Sequence, residues 1–117
     1  MIEWADLHDA ILYAIKIDPE EAKAELSLLL GYGAPIPLAG NNQVIEQPVM
    51  KALIQVQGLL MLIYPHKQPW GISPPKYILE ANEPAMQANG QMILNLEMQT
   101  GDVIQIEAKA INLLACP

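Results

Sequence analysis

The chain has 117 residues, 52% of them hydrophobic and only 16% charged, with a net charge of −7 from thirteen acidic residues and six lysines. A hydrophobic fraction this high excludes global disorder, and the absence of arginine together with the acidic balance argues against nucleic-acid binding, which needs clustered cations. With two serines, one threonine, two histidines and one cysteine, the chain holds few of the side chains from which nucleophiles, general bases and phosphate clamps are drawn, so no enzyme is expected.

The length suits one domain with one modest core, taken here as residues 1–117. The start, Met1-Ile2-Glu3-Trp4-Ala5-Asp6, lacks a basic stretch followed by an apolar one, so no secretory signal is expected. Val49 to Tyr64 is nearly apolar but carries Lys51, Gln55 and Gln57, too short and too polar for a spanning helix. The expected location is the cytoplasm at synthesis, without membrane contact. A single cysteine, Cys116, cannot form an internal disulfide and is read as an incidental terminal thiol.

In chain order, residues 1–30 read as a helical pair. Trp4, Leu7, Ile11, Ala14 and Ile15 recur at helical spacing. Asp18-Pro19-Glu20-Glu21 has the form of a helix start, with an Asp cap, proline next and glutamate three after the cap. Ala22, Leu26, Leu29 and Leu30 then supply an apolar face, and Gly31 a stop. Seven of the thirteen acidic residues fall in this pair, which predicts a negative outer face.

Residues 31–48, rich in Gly, Pro and Asn, predict an extended connector. Residues 49–64 fit a buried helix beginning at Pro48 or a run of strand; the first part is read as helix, passing to extended chain near Tyr64. Residues 65–76 form a second connector, stiffened by four prolines, with Trp70 as its pin.

Residues 77–115 predict a β-rich part. Tyr77-Ile78-Leu79-Glu80 is a short strand, followed by turns near Pro84 and Asn89-Gly90. Two alternating runs flank residues 100–102. A three-residue loop there pairs Met98 with Ile104, Leu96 with Ile106 and Leu94 with Ala108 on one buried face. The expected fold is therefore α+β: an N-terminal helical hairpin packed on a β-rich C-terminal half with an antiparallel hairpin.

Chemistry is thinly represented. His8, His66 and Cys116 lie far apart, and Asp6, His8 and Asp9 do not share one helical face, so no metal site is predicted. Ser27 and Ser73 lack the context of an activated nucleophile. Glu80 and Glu83 are spaced as a carboxylate pair but read first as charges flanking a turn. Gly31-Tyr32-Gly33 lacks the further glycine and helix of a phosphate cradle, so no cofactor is predicted. The mixture of His66, Lys67, Trp70, Lys76 and Tyr77 reads as a pinned loop rather than a base-stacking surface.

A surface short of charge and rich in neutral amides suits contact with other protein. The expected function is a non-enzymatic structural or interaction subunit, in a homo-oligomer or alongside other subunits. Its contacts would be Tyr32, Ile36, Leu38, Tyr64, Trp70, Ile72 and Tyr77. In general architecture this pattern resembles small viral head or tail components, which would add the virion as a location. Two further readings are a small-ligand module with an apolar pocket between helices and sheet, and an acidic inhibitor imitating nucleic acid through residues 3–25.

Overall fold

The computed structural model describes residues 2–31, 36–37, 44–45, 49–65 and 76–116. The chain opens with a 3₁₀ turn at Trp4–Leu7. Nine strands follow among the described residues: β1 (Ile11–Asp18), β2 (Lys23–Gly31), β3 (Ile36–Pro37), β4 (Val44–Ile45), β5 (Val49–Ile63), β6 (Lys76–Ala81), β7 (Ala85–Met86), β8 (Met92–Met98) and β9 (Val103–Ala115). β3 and β4 pair only with each other. The others form one antiparallel sheet in the order β6-β1-β2-β5-β9-β8-β7. β6 also pairs with β8, through Ile78–Met98 and Ala81–Leu96, so six strands close into a barrel.

The expected N-terminal helical hairpin is absent: residues 11–31 form a β-hairpin, and no α-helix occurs among the described residues. The physical reason lies in the spacing. Leu26 and Leu30, four apart, share a face in a helix and in a strand alike. Leu28 separates the two cases, because a helix would turn it away from Leu26. In β2, Ala24, Leu26, Leu28 and Leu30 are all buried while Lys23 and Glu25 are exposed, an alternation of period two. The β-branched Ile11, Ile15 and Ile17 favour the same conformation in β1. Asp18-Pro19 is equally at home opening a type I turn, and the Asp18 Oδ1 accepts the Glu21 N–H at 3.2 Å, in the four-residue loop that joins β1 to β2.

Residues 49–63 are likewise strand rather than helix. β5 lies centrally between β2 and β9, with Ala52, Ile54 and Val56 buried. Fifteen residues of strand cannot stay straight in so small a barrel, and β5 carries a bulge where Gly58 takes φ +64° and the register with β9 shifts after Leu59. The Leu59 N–H then donates to the Ala22 carbonyl at 2.7 Å, which ties the bend to the end of the β1–β2 loop.

The β8–β9 hairpin forms with the expected buried face but in a different register. Leu94 faces Ile106 and Leu96 faces Ile104, because the loop is Gln99-Thr100-Gly101 and not residues 100–102. Gly101, at φ +93°, then occupies the last loop position, the one that calls for a left-handed residue. Asp102 is turned inward at 5% exposure, and its Oδ2 accepts the Thr100 hydroxyl at 3.0 Å.

The barrel interior is filled. Leu26, Leu28, Ile54, Val56, Ile78, Leu94, Leu96, Ile104 and Ile106 are all wholly enclosed. They lie in rows that cross the strands, such as Leu26–Ile54–Leu113 and Leu94–Ile106–Leu62. Each enclosed aliphatic side chain contributes about 1.5–3 kcal/mol of transfer free energy. Eight strands give a barrel just wide enough for side chains to fill, so six leave no lumen. Outside, the row Lys16–Glu25–Gln55–Asn112 crosses four strands. An apolar interior with such a row outside reverses the polarity of a lipid-facing barrel. Among the described residues no helix is long and apolar enough to cross a membrane.

Candidate interaction surface

With the interior occupied by aliphatic side chains, any binding must use the outside of the barrel or its rim. Register fixes which apolar residues face outward. Tyr77, Ile11 and Leu29 are successive partners across β6, β1 and β2, each alternating with a buried neighbour (Ile78, Leu12, Leu28). One row further, Ala14, Ser27, Leu53 and Leu114 are partners across β1, β2, β5 and β9. Tyr13 stands in the β1 bulge between Leu12 and Ala14. With Ser27 as a polar member and exposed Lys51 beside Leu29 on β5, the two rows make a mainly apolar stripe over five strands. Tyr13, Leu114 and Tyr77 remain 52%, 43% and 39% exposed. Leu60 and Ile63 near the end of β5 and Val103 at the start of β9 are also exposed.

The residues expected as contacts fall differently. Tyr77 belongs to the stripe. Tyr64 does not: it packs half-buried against the core at the end of β5, and burial, then the nearby Asp102 charge, raise its phenol above the ordinary value. Ile36 lies in β3, paired with Ile45, and its side chain lies outside the described residues. Tyr32, Leu38, Trp70 and Ile72 lie outside the described residues altogether. Tyr13, Ile11, Leu29, Leu53 and Leu114, which share the stripe with Tyr77, were not among the expected contacts. The available signal was the alternation of Lys23, Glu25 and Ser27 with Ala24, Leu26 and Leu28, which extends to place Leu29 on the outer face.

A second feature lies where the N-terminal segment crosses β6. The Asp9 N–H donates to the Ile78 carbonyl at 2.8 Å and the Ile78 N–H to the Ala10 carbonyl at 2.8 Å. His8 Nδ1 lies 2.6 Å from the Leu79 carbonyl oxygen and its Nε2 3.5 Å from Asp9 Oδ2. The Gln99 amide donates to Asp9 Oδ1 at 2.5 Å, so one seam joins the N-terminal segment, β6 and the β8–β9 loop. Beside this seam two open grooves, of about 560 and 500 Å³, share Ala5, Ala81 and Asn82 and so adjoin as a two-part trough. His8, Leu79 and Glu80 line one end; Ile2, Glu3, Trp4 and Glu83 line the other. Glu80 and Glu83, spaced as a pair in the sequence, line adjoining grooves, one each, on a solvent-open rim.

Cys116 is half-buried, with its N–H donating to the Lys51 carbonyl at 2.9 Å. Among the described residues no three His, Cys, Asp or Glu side chains converge on a metal geometry.

No family model and no curated protein matches the chain. Among solved structures it is similar to the crystal structure of an uncharacterized protein from Neisseria gonorrhoeae, with a TM-score of 0.53 and 16% identity over 91% of this chain and 90% of that one. At that identity the likeness shows a shared fold alone.

Proposed function

We propose that the protein is a non-enzymatic interaction subunit that works within a protein assembly, with the outer apolar stripe as its principal contact. One observation carries this reading: a barrel with a filled interior leaves Tyr77, Tyr13 and Leu114 exposed on one outer face, continuous with half-buried Ile11, Leu29 and Leu53. Exposed aromatic and leucine side chains in one patch are the common mark of protein contact sites. The poverty in hydroxyl, thiol and guanidinium groups agrees with binding as the task.

The two other readings have less support. A ligand pocket between helices and sheet has no α-helices among the described residues to form it, and the barrel interior is occupied by leucine and isoleucine. A nucleic-acid mimic needs one acidic face. Here the helical pair meant to present it is absent, and the charges divide between the N-terminal segment (Glu3, Asp6, Asp9) and the far end of β1 with its loop (Asp18, Glu20, Glu21), with Glu25 on β2.

Light scattering and native mass spectrometry at micromolar concentration, together with affinity capture by the full chain, test the proposal. The expected result is an assembly of more than one chain, which Tyr13→Glu with Leu114→Glu dissolves while the circular dichroism spectrum is unchanged. A strict monomer that captures no protein overturns it.

A further inference from the structure

The trough beside the closing seam has the chemistry of a second, distinct contact. Trp4 is half-buried at its wall, so part of the indole is open to a visitor. Glu3, Glu80 and Glu83 stand exposed around it, with His8 and Asn82, and among the described residues no lysine lines it. Glu80 also lies directly opposite Glu97 across the β6–β8 ladder, and both are exposed. Like charges in direct cross-strand opposition disfavour the sheet, and a cation brought by a partner would remove that repulsion. Ala5, Leu79 and Ala81 give the lining an apolar part, which accepts the aliphatic stem of a long cationic side chain.

We propose that this trough docks a Lys/Arg-bearing extended segment of a partner protein. The occupant follows from charge complementarity. Carboxylates on a net charge of −7 draw a cationic segment, guanidinium groups suit carboxylate geometry, and a tryptophan face favours cations. The inference rests on the reading of the protein as an interaction subunit but uses a surface apart from the stripe.

The test is titration of the full chain with an eight-residue alternating Arg-Val peptide, its Glu-Val counterpart and free spermidine, followed by calorimetry. Saturable binding of the Arg-Val peptide alone is expected. Glu80→Gln with Glu83→Gln should weaken it at least tenfold, whereas Glu20→Gln with Glu21→Gln, an equal charge change in the β1–β2 loop, should weaken it less than twofold. Equal losses in the two variants, an equal affinity for the Glu-Val peptide, an affinity for spermidine as tight as for the Arg-Val peptide, or no binding overturns the proposal. The stripe variant Tyr13→Glu with Leu114→Glu should bind the peptide unchanged. A failure of the trough is thereby separate from a failure of assembly through the stripe.

Discussion

Lys109 closes over Gly58: a β-carbon on residue 58 would stand 2.8 Å from both Cβ and Cγ of Lys109. Gly58 also holds φ +64°, a conformation that costs a residue with a side chain about 1–2 kcal/mol. Gly58→Ala therefore meets two penalties, one in its own backbone and one against the first carbons of its neighbour. The expected loss of stability is about 2–4 kcal/mol, read from urea unfolding. Repeating the substitution in a Lys109→Gly background should recover the steric part and leave the backbone part. Full recovery, or none, would show that only one of the two penalties operates.

The Glu80–Glu97 opposition gives a change in the other direction. Glu97→Lys converts a like pair into an opposite one, and both side chains are exposed, so screening keeps the gain below about 1 kcal/mol. Added salt should stabilise the wild-type chain and have a smaller effect on Glu97→Lys, because salt already weakens the repulsion that the substitution removes. Melting temperatures of both proteins at low and high ionic strength check this. Equal salt responses would show that the pair carries no net repulsion.

Much of the C-terminal half was legible in the sequence, because Leu94 to Met98 and Ile104 to Ala108 alternate and one face must be buried. The alternation sets the face but tolerates a shift of two residues, and only loop chemistry chooses between the two registers. Gly101 was the deciding residue: at the last loop position its left-handed φ is satisfied, at the middle one it is wasted. In the N-terminal half, strong helix formers such as Ala22, Ala24, Glu25 and Leu26 masked the strand. Pairing of β2 on both sides, with β1 and with β5, outweighs that local preference. The stripe depended on that half and was lost with it. The trough could not be read at all, since it joins residues 2–8 to residues 79–83 through tertiary contact.

The register is open to a direct check. Asn95 and Gln105 face each other across β8 and β9, whereas the pairing expected from a loop at 100–102 would set Asn95 against Glu107. In a Cys116→Ala background, Asn95→Cys with Gln105→Cys should form a disulfide on mild oxidation, since facing residues bring their Cα atoms within disulfide range. Asn95→Cys with Glu107→Cys should not. Thiol titration after oxidation reads the result, and the reverse pattern would restore the other register.

Tyr64 makes alkaline stability report on the inner end of β5. Burial, and next the charge of Asp102, disfavour its phenolate, so the folded chain holds this proton above the ordinary value of 10.0. Below that pH the folded and unfolded chains both keep the proton, and Tyr64 adds no pH dependence. Above it the unfolded chain releases the proton first and binds fewer, so stability falls as pH rises, until the folded chain ionises as well. Tyr64→Phe should flatten this part of the alkaline limb, while Asp102→Asn, which removes the second cause and leaves burial, should move the Tyr64 titration only part of the way back. Ultraviolet absorbance of tyrosinate, compared between the wild-type chain and Tyr64→Phe, isolates this titration from those of the other three tyrosines. A Tyr64 that ionises at the ordinary value of 10.0 would show that the phenol is solvated and that neither cause acts on it.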